Sequence, residues 1–294
     1  MRLAKCLQLT RKALRASNPD VLFSTGGYAS APVAMSARKL GIPYVLHEQN
    51  TVPGRTNRIL SRGAHCVATV FRRGGEHFLG ATVIRTGMPI RQELRSSAQG
   101  TLGVGQALPA DYPVLLVMGG SQGAEAINDA ALATAIRMAR TEAQWLHVTG
   151  PSLFESTIRS KDRLGVQSHY EIKAYLEAED MASALFASTL ALCRSGAGTL
   201  AELAAFRKPS ILIPYPHAFG NHQFVNAKEF EEIGATLLLE QKNLQPSDLE
   251  ARIMLWLSDA ERIHQAQIAL SEWDIPDAVD RIIGLLLAAT KVAA

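Results

Sequence analysis

The sequence predicts an α/β fold built as two Rossmann-like parallel-sheet domains facing across a cleft. Three observations predict it. Short apolar runs alternate with helix-length segments along most of the 294 residues. Glycine-rich turns follow several of those runs, at Thr25-Gly26-Gly27-Tyr28, at Gly119-Gly120-Ser121-Gln122-Gly123 and at Arg194-Ser195-Gly196-Ala197-Gly198. A polar, weakly periodic, Gly-bearing stretch from Arg91 to Tyr112 breaks the alternation into two blocks. The expected division is a first domain over residues 1–92, a linker over 93–112, a second domain over 113–275, and a final helix over 276–294 packing back toward the first domain.

Each element has a local reason. Met1 to Ser17 sets Leu3, Cys6, Leu7, Ala13 and Leu14 at helical spacing. This segment is basic and lacks acids, the composition of a transit peptide. It runs directly into Asn18-Pro19-Asp20 and the apolar Val21–Phe23, so it reads as an internal helix of a βα fold. After the Thr25–Tyr28 turn, small residues from about Ala31 to Leu40 predict a helix that Gly41 stops. Tyr44–Leu46 reads as a strand ending in His47-Glu48-Gln49-Asn50. A helix follows over about Gly54 to Arg62, then strands over Cys66–Val70 and Thr82–Arg85. Beyond the linker, strands are expected at Val114–Met118, Trp145–Val148, Tyr170–Ala174, Leu190–Cys193, Ser210–Ile213 and Thr236–Leu239, with helices between them. Such alternation produces parallel sheets with right-handed crossovers. A last helix is expected over about Asp277 to Ala288, after Pro276.

Composition narrows the function classes. Apolar residues make up 47% and charged residues 19%, ordinary for a globular chain. The longest apolar stretch, Ile282 to Ala289, is far short of the ~18 residues a membrane span needs. Three scattered cysteines, Cys6, Cys66 and Cys193, give neither a disulfide framework nor metal-ligand spacing, which points to a reducing cytosol. No His-x-x-x-His pair suggests zinc. The net charge of +3 hides an asymmetry. Residues 1–75 carry 12 Lys and Arg against two acids, Asp20 and Glu48, whereas the rest of the chain carries 18 against 25. A basic first part suits an anionic partner, a lipid phosphate or an anionic membrane surface. Nucleic acid is disfavoured, because the basic residues are not interleaved with aromatics and no nucleic-acid motif appears.

Ligands of parallel sheets bind beyond the carboxyl ends of the strands. Five polar or glycine-rich segments occupy such positions: Thr25–Ser30, His47–Asn50, Met118–Gly123, Arg194–Glu202, and Pro214–Asn226 with His217, Asn221, His222, Gln223 and Asn226. Gly196 and Gly198 let backbone N–H groups approach a ligand, and the helix starting near Ala197 aims its positive dipole end at the same spot. Glu202, about one turn in, is placed to accept hydrogen bonds from sugar hydroxyls. A diphosphate joined to a ribose fits such a pocket; a glycine turn with no ligand is the competing reading. Asn50 suits a phosphate or sugar hydroxyl, or a helix N-cap. Arg91 suits a diphosphate, or a linker ion pair. Glu48 is a candidate acid, base or electrostatic stabiliser, while the adjacent His47 reads as a turn or core histidine.

Taken in order and spacing, Gly26-Gly27-Tyr28, His47-Glu48-Gln49-Asn50, Gly119-Gly120-Ser121-Gln122-Gly123, Arg194-Ser195-Gly196-Ala197 and His222-Gln223 with Asn226-Ala227 closely resemble the MurG family of bacterial transferases. The resemblance runs from about Leu3 to the C-terminus. It implies a GT-B fold and an inverting transfer of N-acetylglucosamine from UDP-N-acetylglucosamine. The acceptor it implies is the C4 hydroxyl of the muramyl sugar of lipid I, an undecaprenyl-diphosphate-linked muramyl pentapeptide. Carried over by position, Ala197, Gly198, Thr199, Leu200, Ala201 and Glu202 line the nucleotide, with Glu202 on the ribose. Leu176 falls near the uracil, Ser121 and Arg91 face the phosphates, Gln223 meets the donor sugar, and Asn50 reaches that sugar from the first domain. No ligand cluster in the sequence calls for a metal, and no cofactor is expected. The resemblance implies a peripheral protein on the cytoplasmic face of the plasma membrane, with other cell-wall enzymes as further partners. The family pattern also begins with a strand, a loop reading GGTGGH and two further strand–helix steps that residues 1–294 do not contain. The first domain is therefore expected to be incomplete, and the family's candidate histidine base has no counterpart. Glu48 is then the remaining carboxylate candidate. A start site placed too late or a partial gene record accounts for this; so does a catalytically impaired UDP-sugar-binding scaffold of the wall-synthesis complex. A UDP-N-acetylglucosamine 2-epimerase is disfavoured by the His47–Asn50 and Ser121–Gly123 motifs.

Overall fold

The computed structural model describes residues 2–100, 112–120, 122–141, 143–166 and 169–292. The chain divides into two compact units, Met1–Pro89 with Ile275–Ala294, and Ile90–Asp274.

The first unit begins with α1 (Arg2–Ser17), β1 (Leu22–Ser24), α2 (Ala31–Leu40), β2 (Tyr44–Glu48), α3 (Arg55–Leu60), β3 (Cys66–Thr69) and β4 (Val83–Arg85). Its four strands pair in parallel in the order β1-β2-β3-β4, with Phe23 opposite Val45, Val45 opposite Cys66 and Val67 opposite Val83. All five residues of β2 are buried, as expected of a central parallel strand covered on both faces. Ala34, Tyr44, Leu46, Leu60, Val67 and Phe78 form one core layer. α2 starts with Pro32 in its first turn and ends at Gly41, whose φ of 74° supplies the left-handed cap that the sequence predicts.

The second unit holds the larger sheet. Its elements are α4 (Gln92–Ala98), β5 (Val114–Met118), α5 (Glu125–Arg137), β6 (Gln144–Val148), α6 (Phe154–Leu164), β7 (Tyr170–Lys173), α7 (Ala178–Ala187), β8 (Leu190–Cys193), α8 (Ala197–Ala205), β9 (Ser210–Leu212), α9 (His222–Glu232), β10 (Thr236–Leu238), α10 (Pro246–Leu257) and α11 (Ala260–Trp273). Six parallel strands run in the order β10-β9-β8-β5-β6-β7. The chain winds outward from β5 through β6 to β7, then from β8 through β9 to β10. The winding direction therefore reverses between β5 and β8, which are hydrogen-bonded neighbours with Met118 opposite Cys193. In open α/β sheets the ligand crevice lies at that reversal, outside the carboxyl ends of the strands. A core of Leu115, Val117, Ile127, Trp145, Leu192, Ile211 and Trp256, among others, packs this sheet.

The last helix, α12 (Ala278–Val292), belongs to the first unit. Its Ala289 is fully buried against Val45 and Cys66, with Leu285 and Leu286 beside it.

The expected linker is corrected at its start. Residues 92–98 are the helix α4, packed against α7 and α8 within the second unit. Its Leu94 is fully buried, and its Arg95 makes a two-point ion pair with Asp274 at 2.5 and 3.1 Å. Seven residues with only Leu94 and Ser97 buried leave no apolar period to detect. Residues 101–111 of that expected linker lie outside the described residues.

Candidate functional site

Two loops flank the reversal in the second unit. The loop after β5 is compact because of its glycines. A Cβ on Gly123 (φ 76°) would sit 2.0 Å from the Thr149 carbonyl oxygen, and one on Gly119 would sit 2.3 Å from the Ala124 nitrogen. Larger residues are excluded at both positions, so this loop folds back on itself and leans on the backbone that leaves β6. Ser121, expected at the phosphates, lies outside the described residues.

The loop after β8 is Arg194-Ser195-Gly196, with Gly196 the extended N-cap of α8 (φ −68°, ψ 145°). No acid and no side-chain cap occupies the first turn of α8. The N–H groups of Ala197, Gly198 and Thr199 have no intrahelical partner by geometry, and all three residues are half-buried. Leu200 differs: its N–H donates to the Gly196 carbonyl, and its side chain is fully buried. Ala201 is buried likewise. These two side chains face the core, so only the first three residues of the expected lining present open backbone donors.

Glu202 sits one turn further on. Its carboxylate lies 3.8 Å from the Arg91 guanidinium at the start of α4. The structure thus brings together two residues that the sequence singled out separately. Burial pushes the Glu202 carboxyl above the usual carboxylate range, and Arg91 opposes that shift. The neighbouring Cys193 thiol is pushed up to about 12, by burial first and then by the negative charge of Glu202.

Arg194 has a role that its motif did not reveal. Its side chain is buried, donating to the carbonyls of Ile213 (3.0 Å) and Pro214 (3.1 Å) and to Gln241 Oε1 (2.7 Å), with its guanidinium 5.6 Å from the Tyr215 ring centroid. It ties the loop after β8 to the one after β9. Ser195 Oγ donates to the Gln223 carbonyl (2.7 Å), and buried Asn226 Nδ2 donates to the Ser195 carbonyl (3.3 Å). Gln223 Oε1 accepts from the Tyr215 N–H (2.9 Å). The start of α9 is therefore laced to the start of α8. Leu176, just beyond β7, is buried and lines a groove with Leu146, Lys173, Tyr175, Asp180 and Ala184.

In the first unit, Glu48 closes β2 and is only 3% exposed. Its oxygens accept from the Asn50 N–H (3.0 Å), the Gly54 N–H (3.1 Å) and Asn57 Nδ2 (2.8 Å). Asn50 is half-buried on the loop this carboxylate organises. His47 is buried, its Nε2 bonded to the Gly87 carbonyl (3.1 Å), and burial lowers its pKa. The Gly26–Ser30 turn is held to α3 by Thr56 Oγ1, which donates to the Gly27 carbonyl (3.1 Å). Among the described residues, no group of three or more His, Cys, Asp and Glu side chains forms a metal-holding cluster.

This geometry is matched by known proteins. The family 28 glycosyltransferase C-terminal domain model matches residues 114–282, and the family 28 N-terminal domain model matches residues 1–69. A UDP-N-acetylglucosamine–N-acetylmuramyl-(pentapeptide) pyrophosphoryl-undecaprenol N-acetylglucosamine transferase of Bacillus thuringiensis (strain Al Hakam) is 37% identical over 284 residues, 96% of this chain and 77% of the relative. The chain belongs to the MurG family of glycosyltransferases. A second relative, from Syntrophotalea carbinolica, carries the same transferase name and is 39% identical over 272 residues, 92% of this chain and 73% of the relative. The crystal structure of Acinetobacter baumannii MurG superposes with a TM-score of 0.80 at 26% identity, covering 98% of this chain and 80% of that one. UDP-N-acetylglucosamine 2-epimerases share the fold alone; one from Methanocaldococcus jannaschii has a TM-score of 0.61 at 14% identity, covering 96% of this chain and 80% of that one. As a MurG-family chain it has two parallel-sheet α/β units of the GT-B kind.

Proposed function

We propose that this chain transfers N-acetylglucosamine from UDP-N-acetylglucosamine to the C4 hydroxyl of the muramyl sugar of lipid I, with inversion, forming lipid II for peptidoglycan. The observation that carries the reading is the β8–α8 turn with Glu202 at the winding reversal, in a chain 37% identical to transferases of that name.

On the donor side the chemistry asks for three things. Negative charge develops on the departing UDP, and the open N–H groups of Ala197, Gly198 and Thr199 at the positive end of α8 are aimed to stabilise it. Arg91 adds a full positive charge beside them. The ribose must be fixed, and Glu202 is the acceptor for its hydroxyls; these replace the loose 3.8 Å contact with Arg91, freeing that guanidinium for the diphosphate. Base and sugar must be oriented, roles for Leu176 and Gln223, with Ser121 on the phosphates. Asn50 contacts the donor sugar. Glu48 is assigned to holding the Asn50 loop rather than to moving a proton, because its lone pairs already accept from three donors. The epimerase and scaffold readings are not favoured, the first because its likeness is one of fold.

The partners beyond the two substrates are an anionic membrane surface and other enzymes of wall synthesis, at the cytoplasmic face of the plasma membrane. The support is α1, which exposes Leu3 (56%) and Leu9 (57%) together with Lys5, Lys12 and Arg15. No helix among the described residues is long and apolar enough to cross a membrane. The test is transfer of labelled N-acetylglucosamine to a lipid I analogue. Label in a lipid II product supports the reading. UDP binding without any transfer would move the assignment to the scaffold.

A further inference from the structure

Behind the glycine loop after β5 lies a fully buried polar chain that the transfer chemistry does not use. Tyr170 on β7, His147 on β6 and Asn128 on α5 are at most 2% exposed. Tyr170 Oη lies 2.8 Å from His147 Nδ1, and His147 Nε2 lies 2.9 Å from Asn128 Oδ1. Asn128 Nδ2 donates to the Thr149 carbonyl (3.2 Å) and to Thr157 Oγ1 (3.4 Å). Every polarity in this chain is forced. The Asn128 amide spends its N–H groups on Thr149 and Thr157, so its oxygen must accept from His147. His147 is then protonated on Nε2 and accepts the Tyr170 hydroxyl at Nδ1. Burial keeps the imidazole neutral, with its pKa lowered to about 3.

The end of the chain touches the loop. The Thr149 carbonyl that Asn128 holds is the one against which Gly123 packs: a Cβ added there would lie 2.0 Å from its oxygen, so only a glycine fits. A Cβ on Gly150 would lie 2.5 Å from the Gly123 nitrogen, so the contact is backbone on backbone. Rotation of the Thr149 carbonyl would push the glycine loop directly, since no flexible side chain intervenes to absorb it.

We infer that Asn128 and His147 are positioning residues for the glycine loop after β5, setting through the Thr149 carbonyl the height at which that loop meets the diphosphate of the donor. This rests on the reading that the loop faces the donor phosphates. The side chains touch no substrate. Their part is to hold a backbone surface in one place, so that its donors meet charge without rearranging.

The test compares UDP with uridine, by calorimetry, on the full chain. Asn128→Asp keeps the volume and the acceptor for His147, but sets an oxygen against the Thr149 carbonyl. Its affinity for UDP should fall about tenfold, equivalent to about 1.4 kcal/mol, while uridine binding changes less than about twofold. In turnover, KM for the sugar nucleotide should rise about tenfold, with kcat within about threefold of the parent. Tyr170→Phe removes only the distant hydroxyl, and should weaken UDP binding by about threefold with uridine unchanged; it decides the matter if Asn128→Asp does not fold. Unaltered UDP affinity in a folded variant overturns the inference, as does an equal loss for UDP and uridine, which would signal general loosening. If the parent chain itself fails to prefer UDP over uridine, the donor-phosphate reading falls, and this inference falls with it.

Discussion

At the scale of single residues, the site is a set of committed partners. Glu202 is the side chain whose removal is most informative. Replacing it with Ala deletes the proposed ribose acceptor, and should weaken UDP binding by roughly 1–3 kcal/mol, the range for losing hydrogen bonds to a charged group. The loss should be smaller for 2′-deoxy-UDP than for UDP. Calorimetry with both nucleotides reads this, and equal affinity of variant and parent for UDP would remove the ribose from Glu202. His147 gives a pH prediction whose sign follows from its burial. Its pKa is about 3 in the folded chain against the ordinary 6.5. Between those values only the unfolded chain binds the proton. Stability from this residue is therefore complete above pH 6.5 and drains as pH falls toward 3, by up to about 1.4 kcal/mol per pH unit. Urea unfolding of the parent and His147→Gln, from pH 7 to pH 4, should show the parent's advantage shrinking with acid. Parallel pH curves would mean that the imidazole titrates normally.

At the scale of elements, α8 carries a trade between stability and binding. Gly198 lies in its first turn, and a Cβ there would meet nothing within 4 Å. On helix propensity alone, Gly198→Ala should stabilise the chain by about 0.5 kcal/mol. If a diphosphate approaches that backbone closely, the same methyl should weaken UDP binding several-fold. A higher unfolding midpoint together with weaker UDP binding is the expected pair; unchanged UDP binding would move the phosphates off this turn. The strands were the legible elements. Val114–Met118 and Leu190–Cys193 are found at the predicted bounds, because strands buried on both faces read as unbroken apolar runs between glycine turns. α2 was legible from Pro32 to Gly41 for the same kind of local reason. α4 was not, since one buried leucine makes no period. The partners in the site were legible only as a shortlist. Arg91 and Glu202 were both named from sequence, yet nothing local says that they pair across more than a hundred residues. The Asn128–His147–Tyr170 chain gave no signal at all: a histidine inside an apolar strand looks like any core residue until the sheet sets its neighbours.

At the scale of the whole molecule, charge is the property that sequence and structure share most directly. Most basic residues of the first 75 stay on the surface, and α1 displays Lys5, Lys12 and Arg15 on the helix that exposes Leu3 and Leu9. A basic helix of this kind is drawn to anionic lipid by roughly 1 kcal/mol per Lys or Arg near the surface, and its exposed leucines add apolar contact once there. Binding should therefore have two separable parts. Vesicles containing phosphatidylglycerol should sediment the protein, and neutral phosphatidylcholine vesicles should do so poorly. Raising salt from about 0.05 M to about 0.5 M shortens the screening length severalfold and should release most of it. Glu substitutions at Lys5, Lys12 and Arg15 should abolish the preference for anionic lipid, whereas Ser at Leu3 and Leu9 should weaken binding without changing its salt dependence. Neither set touches the strand-end loops, so UDP affinity serves as the folding control for both. Sedimentation indifferent to lipid charge would show that the basic surface serves something other than a membrane, and would leave the nucleotide site, which rests on α8, untouched.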